Sequence, residues 1–314
     1  MQIIDRPELK RFSTLKLGGR GRRLYLARSC SDLDELGRVW PEIKDSAFVL
    51  GRGSNVLFRD ADVDLVLIKW AGGETPQILD ESENEVLVEV SASLSLPRFL
   101  GWCIKKGLSG LEGLAGIPGT VGGAVAMNAG SHGVEIGSKI EKAKVWVPEQ
   151  GIFWVDREDT HIAYRHFRLK RTSGFYLILG AILRLGKDDP GEIKKRIASW
   201  YERKKKTQPV LQATAGCVFK NPILNPRESN LLAKKKGFDG GVKGVSAGWL
   251  LEQAGFRGKR LGGVGFSALH ANFLVNYGHG TTSQALELIE CAKNKVSKMW
   301  GIALEMEVKV VPCL

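Results

Sequence analysis

The sequence predicts an α+β protein of two or three domains, and three observations point to this class. The chain has 314 residues, and at roughly 150 residues per domain this suggests about two domains and allows three small ones. Hydrophobic residues make up 43% of the chain and charged residues 25%, which is typical of a globular protein with a sizeable core. Helix-like and strand-like segments follow each other with mixed connections and without an internal repeat.

The first predicted elements form a small αβ unit. Ser31 and Asp34 have the spacing of a capping box before a helical apolar pattern, so we expect a helix there. Apolar, β-branched segments predict strands at Ala47–Leu50, Asp64–Trp70 and Val86–Val90.

The next segment contains a short helix and then a glycine-rich stretch. Pro97 suits the first turn of a helix that ends at Gly107. In the segment from 113 to 130, the glycines at 113, 116, 119 and 122 recur at every third position around Pro118, and this spacing predicts a stretch without helix.

Beyond it, strands are expected at Lys144–Val147 and Tyr176–Leu185, with a turn-rich basic segment between them. Asp188–Gly191 breaks the chain, and apolar residues at helical spacing follow from Ile193 to Tyr201. Thr281 and Gln284 have capping-box spacing before a long apolar stripe, which predicts a helix. Residues 304–310 alternate between apolar and charged, as in a half-buried strand.

Positive charge is in excess, with 46 Lys and Arg against 34 Asp and Glu, a formal net charge of +12. The densest basic runs are Arg203–Lys206 and Lys234–Lys236. No nucleic-acid-binding motif accompanies them, and phosphate-bearing small molecules attract positive charge equally well. A solvated face is the preferred interpretation of such a run, and a basic nucleic-acid-binding protein without a cofactor is an alternative.

Other features exclude several classes of protein. The longest apolar run, Phe175–Leu183, is shorter than the about 20 residues of a membrane span. The N-terminus carries charges where a signal peptide would have its apolar core. Five cysteines are scattered without a Cys-x-x-Cys pair, so neither a disulfide framework nor a metal site is indicated. We therefore expect a cytoplasmic protein without a metal.

Glycine is unusually frequent, at 38 residues, and two segments hold the informative ones. Gly51-x-Gly53-Ser54-Asn55 is a tight turn between two apolar strands, where backbone N–H groups can converge on an anion, although a plain β-turn is an alternative. Gly113–Gly130 indicates close approach to a ligand or, alternatively, a packed corner between sheets. Neither segment has the dinucleotide-binding or P-loop pattern, so we expect a nucleotide cofactor held in another way.

These segments resemble one family, the UDP-N-acetylenolpyruvoylglucosamine reductases, in its shorter form. The resemblance runs in order along nearly the whole chain, through Gly51–Asn55, Ile117–Ala124, Asn128–Gly130, Tyr164-Arg165, Ala215–Pro222, His270–Asn276 and Leu304–Val308. Another flavin oxidoreductase of the same superfamily would lack the Ala215–Pro222 segment, and it is the alternative within enzymes.

The resemblance implies a fold and a reaction. It predicts an FAD-binding domain of the vanillyl-alcohol oxidase type, with two α+β subdomains at 1–70 and 71–190, followed by an α+β UDP-sugar-binding domain at 191–314. FAD would be bound non-covalently and NADPH would supply hydride. The reaction would reduce an enolpyruvyl ether to UDP-N-acetylmuramate for bacterial peptidoglycan. No nucleic acid, membrane or obligatory protein partner is expected.

The resemblance also assigns catalytic roles. Arg165 would stabilise the enolate that develops on the substrate, since its guanidinium is always charged and can bind a carboxylate through two hydrogen bonds. A surface arginine without a catalytic role is the alternative, and it is the one that the local sequence alone favours. Cys217 stands where the family usually has the serine that donates the proton. A thiol, with an ordinary pKa of about 8.5, is a stronger acid than an alkyl hydroxyl. A buried, inert cysteine is the alternative.

Glu305 and Glu307 share one strand face, so periodicity does not separate them. The family's catalytic glutamate precedes a valine, which selects Glu307 and leaves Glu305 as the alternative. On the plain interpretation, both are solvated and pair with Lys309.

The resemblance further predicts binding residues. For the substrate these are Tyr164, Lys205 and Asn221. Lys206 follows Lys205 directly, so either lysine could correspond to the family's phosphate-contacting lysine. His270 and Asn272 are expected to be structural. The predicted FAD-binding residues are Gly51, Gly53, Ser54, Asn55, Ile117, Pro118, Gly119, Thr120, Gly122, Gly123 and Asn128.

Overall fold

A computed structural model describes residues 1–73, 75–172, 174–236 and 244–312, and their contacts form two compact units. Unit 1 comprises Met1–Pro7, Gly21–Arg52 and Asp64–Lys204, and unit 2 comprises Glu8–Arg20, Gly53–Val63 and Lys205–Leu314. The units cut across the predicted domain ranges 1–70, 71–190 and 191–314, which remain a prediction. Two short early segments belong to unit 2. The strand at residues 56–58 pairs there with the strand at 309–311, and residues 8–20 contribute hydrogen bonds such as that from the Thr14 hydroxyl to the Thr214 carbonyl.

The strands of the described residues, in chain order, are β1 (Gln2–Asp5), β2 (Arg23–Ala27), β3 (Ala47–Val49), β4 (Val56–Phe58), β5 (Val66–Trp70), β6 (Gln77–Glu81), β7 (Glu85–Ser91), β8 (Leu108–Ser109), β9 (Gly130–Ser131), β10 (Val134–Glu135), β11 (Ile140–Val147), β12 (Gly151–Asp156), β13 (Thr160–Ala163), β14 (His166–Leu169), β15 (Leu177–Lys187), β16 (Ala213–Cys217), β17 (Arg260–Leu261), β18 (Val264–Phe266), β19 (Phe273–Asn276) and β20 (Lys309–Val311). The α-helices are α1 (Cys30–Ile43), α2 (Leu96–Lys106), α3 (Val121–Ala126), α4 (Pro190–Thr207), α5 (Pro226–Lys236), α6 (Ala247–Gln253) and α7 (Thr282–Trp300).

The first sheet of unit 1 has the order β1-β2-β5-β3. Strands β2, β5 and β3 are parallel, and β1 is antiparallel at the edge. Helix α1 packs its buried residues, such as Leu33 and Leu36, into one cluster with Tyr25 and Ile68 of the sheet. This arrangement is the small αβ unit that the sequence predicts.

The start of α1 differs from the prediction by two residues. The hydroxyl of Ser29 caps the helix by accepting a hydrogen bond from the backbone N–H of Asp32 at 3.2 Å. The predicted capping box at Ser31 and Asp34 is therefore wrong. Two overlapping Ser-x-x-Asp patterns occur here, and the side chain of Ser31 instead contacts that of Ser29.

The second sheet of unit 1 is antiparallel, in the order β12-β11-β15-β7-β6, with β8 paired to the end of β15. Helices α2 and α3 contribute to the core on this sheet, whose members Val88, Phe99, Val125 and Leu183 are fully buried. Where the sequence predicts only a turn-rich segment, the chain forms β12 and the hairpin β13–β14.

Helix α3 lies inside the stretch predicted to be without helix, so that prediction is wrong. Thr120 caps α3 by accepting a hydrogen bond from the N–H of Gly123. Gly122 packs so closely on the second sheet's core that an added Cβ would lie 2.7 Å from the Cβ of Ala92. Burial of Val121 and Val125 thus supports a short helix despite the poor helix propensity of glycine.

Unit 2 contains the antiparallel sheet β16-β19-β18-β17 and the parallel pair β4–β20. Helices α6 and α7 contribute Leu250 and Ile289 to its core, beside Phe219 and Val264. The predicted capping box of α7 is confirmed, because the side chains of Thr281 and Gln284 each accept a hydrogen bond from the other's backbone N–H. The predicted strand at 304–310 is observed only as β20 and an isolated bridge between Met306 and Phe219.

The fold is α+β, as the sequence predicts, with one mixed and one larger antiparallel sheet in unit 1 and a core that includes α6 and α7 in unit 2. Within the described residues, no helix is both long enough and apolar enough to cross a membrane.

Candidate active site

The two predicted glycine loops meet in unit 1 at Gly51, Thr120 and Gly123, which we call the loop cluster. A Cβ added to Gly51 would lie 3.0 Å from the Thr120 Oγ1 and 4.0 Å from the Gly123 Cα. Gly123 is exposed, and its N–H donates to the Thr120 hydroxyl at 3.2 Å. The absence of a side chain at Gly51 lets the two backbones approach closely, as expected of loops that hold a nucleotide through main-chain groups.

The other predicted FAD-binding residues of unit 1 have different surroundings. Pro118 is exposed, whereas Gly119 is buried and its carbonyl accepts a hydrogen bond from the N–H of Leu96 at 3.0 Å. Ile117 packs on the core of the second sheet, as Gly122 does, so both residues anchor the loop to that core. The side chain of Asn128 is buried.

In unit 2, Gly53 begins a second group of predicted residues. Its φ of +70° is in the left-handed region, and an added Cβ would collide with the carbonyl oxygen of Phe12. The Gly53 carbonyl accepts a hydrogen bond from the N–H of Thr14 at 3.0 Å. Only glycine fits this turn without strain.

Ser54, Asn55, Gly216, Cys217 and Glu307 lie together in unit 2, and we call them the strand cluster. The Asn55 side-chain amide donates to the Glu307 carbonyl at 3.1 Å, and the Asn55 carbonyl accepts from the N–H of Lys309 at 3.1 Å. The Glu307 N–H donates to the carbonyl of Val218, the residue after Cys217, at 2.7 Å. A Cβ on Gly216 would lie 4.0 Å from the Ser54 carbonyl oxygen.

Cys217 ends β16 opposite Phe273 and follows Gly216, whose φ is +82°. Cys217 forms no disulfide with another described cysteine, and the residue is half-buried. The bond between Glu307 and Val218 places the backbones of two predicted catalytic residues, Cys217 and Glu307, on neighbouring segments of one unit.

The structure separates the two candidate glutamates. Glu305 has a side chain that is 72% exposed, and its carboxylate forms an ion pair with Lys220. Glu307 is half-buried within the strand cluster. The prediction that Glu305 pairs with Lys309 is wrong, because Glu305 pairs with Lys220 of the Ala215–Pro222 segment instead.

Tyr164 and Arg165 form the two-residue turn of the hairpin β13–β14 in unit 1, since Ala163 pairs with His166. Arg165 has a φ of +56°, which is uncommon for a residue with a side chain. Its guanidinium carbon lies 4.9 Å from the centre of the Tyr164 ring, and its Nη2 donates to the Gly130 carbonyl at 3.4 Å.

The predicted substrate-binding residues of unit 2 are exposed. Lys205 lies in the last turn of α4. Asn221 uses its side-chain oxygen to accept a hydrogen bond from the N–H of Ala247 at 3.0 Å, at the start of α6. The run Arg203–Lys206 is not simply a solvated face, because Lys204 is only 3% exposed and its Nζ donates to the Ala115 carbonyl at 2.6 Å. The side chains of Lys234–Lys236, like Cys313, lie outside the described residues.

His270 and Asn272 support the strand cluster. The Asn272 side chain bonds both the N–H and the carbonyl of Phe219, at 3.0 and 2.8 Å. His270 Nδ1 accepts from the Asn272 N–H at 3.2 Å, and burial lowers the pKa of His270. These contacts agree with the predicted structural role.

Sequence reasoning missed three residues that contact the predicted ones. Glu135 and Gly137 bind the Asn128 side chain, and Lys204 binds the loop before Ile117. No local pattern marks them, because their partners are seven to 89 residues away. Among the described residues, no group of three or more His, Cys, Asp or Glu side chains could hold a metal ion.

Comparisons with known proteins agree with this geometry. Residues 23–154 match a family model described as "FAD binding domain", and this range contains the loop cluster. Residues 208–311 match a model described as "UDP-N-acetylenolpyruvoylglucosamine reductase, C-terminal domain", which contains Cys217, Asn221 and Glu307.

Full-length relatives carry the same name. A UDP-N-acetylenolpyruvoylglucosamine reductase of Nitratidesulfovibrio vulgaris is 41% identical over all of both chains. One of Bacillus subtilis is 33% identical over 99% of this chain and 94% of its own. The crystal structure of the reductase from Thermus caldophilus superimposes with a TM-score of 0.76 at 30% identity, over 99% of this chain and 100% of that one. The chain belongs to the UDP-N-acetylenolpyruvoylglucosamine reductase family.

Proposed function

We propose that this protein reduces the enolpyruvyl ether of UDP-N-acetylglucosamine enolpyruvate to UDP-N-acetylmuramate, a peptidoglycan precursor, in the bacterial cytoplasm. The observation that carries the proposal is the strand cluster, in which a thiol and a carboxylate at the family's motif positions lie on bonded segments. The substrate is a UDP-sugar, and no nucleic acid or obligatory protein partner is proposed.

FAD is the proposed cofactor, bound non-covalently, and the loop cluster fits it. The close approach of Gly51 to Thr120 and Gly123 would let backbone groups, rather than side chains, contact FAD. Gly53, Ser54 and Asn55 continue the first loop. When bound and reduced by NADPH, FAD supplies the hydride that adds to the terminal vinyl carbon.

Cys217 is the proposed proton donor. Hydride addition leaves carbanion character on the carbon next to the substrate carboxylate, and that carbon must receive a proton. The thiol S–H bond breaks, a C–H bond forms, and solvent then returns a proton to the sulfur. The half-buried position of Cys217 suits both proton transfer to the substrate and the return of a proton from solvent to the sulfur.

Arg165 and Glu307 are proposed to act on the carboxylate end. The guanidinium of Arg165 would neutralise the charge that develops on the carboxylate, which is the kind of interaction that accelerates enolate formation. Glu307 would assist protonation. Tyr164, Lys205 and Asn221 would bind the substrate, with Lys205 at the diphosphate and Asn221 donating through its side-chain N–H groups.

The test is NADPH oxidation by the FAD-loaded protein, with and without UDP-N-acetylglucosamine enolpyruvate. We expect a yellow protein that oxidises NADPH rapidly only when this substrate is present and that forms one product molecule per NADPH. If the flavin-loaded protein oxidises NADPH no faster when this substrate is added, another oxidoreductase of the superfamily is favoured. A colourless protein that FAD cannot reconstitute would exclude both enzymes.

A further inference from the structure

Asn128 is a buried polar residue whose hydrogen bonds lie within the protein. Its side chain is 1% exposed, and its φ is +39°. The side-chain nitrogen donates to the Glu135 Oε2 and to the Ala163 carbonyl, both at 2.9 Å. The side-chain oxygen accepts from the N–H of Gly137, also at 2.9 Å. Because a primary amide has two N–H donors, both donors of Asn128 are already used.

These bonds tie one segment to the turn that carries Arg165. Ala163 is the residue immediately before the Tyr164-Arg165 turn. The Arg165 guanidinium itself donates to the carbonyl of Gly130, two residues after Asn128. The base of the turn and the tip of the arginine side chain therefore both rest on residues 128–137.

The surroundings fix the amide in one orientation. The Glu135 carboxylate can only accept, so it faces the nitrogen of Asn128, and the Gly137 N–H can only donate, so it faces the oxygen. A Cβ on Gly137 would collide with the Asn128 Oδ1. The left-handed φ of Arg165 needs such support, since residues with a side chain rarely adopt that conformation.

We propose that Asn128 is a positioning residue for Arg165, and that this role replaces the flavin contact expected from sequence. The inference rests on the catalytic role proposed for Arg165. Without the Asn128 amide, the Tyr164-Arg165 turn loses its hydrogen bond at Ala163, and the Arg165 guanidinium is no longer held in one orientation. The step that uses Arg165 slows, whereas flavin binding and flavin reduction by NADPH do not change.

The experiment measures three quantities in the FAD-loaded protein: the Kd for FAD, the rate of flavin reduction by NADPH, and the rate of flavin reoxidation by the enolpyruvyl ether. The main variant is Asn128→Gly, which tolerates the left-handed φ and removes the amide. We expect the first two quantities to stay within about twofold and reoxidation to fall between about tenfold and a hundredfold. Asn84→Gly, at an exposed position of the same unit, is the matched control and leaves all three unchanged.

Coupling with Arg165 separates positioning from general damage. In a double-mutant cycle, Asn128→Gly with Arg165→Lys loses scarcely more reoxidation rate than Arg165→Lys alone, because both changes remove one function. Asn128→Asp, which keeps the shape and the bond from Gly137, gives the same pattern. If both Asn128 variants fail to fold, Glu135→Gln provides the test, with a smaller loss confined to reoxidation.

Two results would overturn the inference. A Kd for FAD raised tenfold or more with normal reoxidation would show that Asn128 contacts the flavin. Additive losses in the double-mutant cycle would show that Asn128 does not act through Arg165. If the wild-type protein fails to react with the enolpyruvyl ether, the proposed function fails instead, so the two failures are distinguishable.

Discussion

Cys217 is the proposed proton donor, and the resemblance to the family places it where a serine is usual, so the chemistry of the donor would differ. A thiol gives up its proton more readily than a hydroxyl, but its thiolate fraction grows as the pH approaches the thiol pKa. Substitution at this position is therefore a direct test of its role.

We predict that Cys217→Ser stays active, whereas Cys217→Ala loses at least about a hundredfold in reduction of the enolpyruvyl ether. Flavin reduction by NADPH should be normal in both, because that half-reaction needs no proton from residue 217. Stopped-flow absorbance of the flavin measures the two half-reactions separately. Full turnover of the alanine variant would show that Cys217 is not the proton donor.

The two glutamates near the C-terminus give a second prediction at the residue scale. Glu307→Gln should slow flavin reoxidation by at least about tenfold, because the carboxylate is lost from the strand cluster. Glu305→Gln should leave it within about twofold, since an exposed ion pair such as that with Lys220 contributes little. The same stopped-flow measurement decides between them, and a reversed order would select Glu305.

Helix α4 is the element that secures the second glycine loop in unit 1. Arg196 binds Glu112, Lys204 binds the Ala115 carbonyl, and the side chains of Tyr201 and Lys204 flank Gly116. Trp200 stacks on His132 with ring centres 4.0 Å apart. Burial, together with Lys204 and Arg203, lowers the pKa of His132, which favours the neutral form of the imidazole in this stack.

The Glu112–Arg196 pair predicts a pH dependence of stability. Burial alone would raise the pKa of Glu112, but hydrogen bonds from Arg196 and from the N–H of Gly110 hold it below its ordinary value. A depressed carboxylate pKa contributes stability above the ordinary value, and this stability is lost as the pH falls through the folded value.

We therefore expect Glu112→Gln to destabilise the protein by about 1–3 kcal/mol at neutral pH. The difference from wild type should shrink as the pH falls through the depressed pKa of the folded carboxyl, where Glu112 takes up a proton. Urea unfolding at neutral and acidic pH measures this, with Glu192→Gln on the exposed face of α4 as the control. A difference that grows on acidification would contradict the sign.

Across the whole molecule, sequence predicted local patterns well and long-range pairings poorly. The α7 capping box and the two glycine loops are local, because a few consecutive residues determine each of them. The grouping of residues 53–63 with unit 2 depends on the pairing of β4 with β20, some 250 residues apart. That of residues 8–20 depends on bonds such as those between Thr14 and Thr214 and between Leu15 and Asn276, and no local pattern encodes either grouping. Helix α3 was missed because packing against Ala92, rather than helix propensity, stabilises it.

The candidate site shows the same division. Motifs predicted Cys217, Arg165 and the glycine loops as parts of the site, and these remain predictions. Periodicity could not separate Glu305 from Glu307, since the difference comes from Lys220 on another segment. The hydrogen bonds of Asn128 reach Glu135 and Ala163, and these partners appear only when the hairpin β13–β14 is folded.

The central claim is that this protein adds hydride and a proton across the double bond of an enolpyruvyl ether. The most direct measurement is an anaerobic single turnover: the FAD-loaded protein is reduced with one equivalent of NADPH and then mixed with UDP-N-acetylglucosamine enolpyruvate. We predict rapid return of the oxidised flavin absorbance and one molecule of UDP-N-acetylmuramate per flavin. A flavin that stays reduced in the presence of this substrate would contradict the claim.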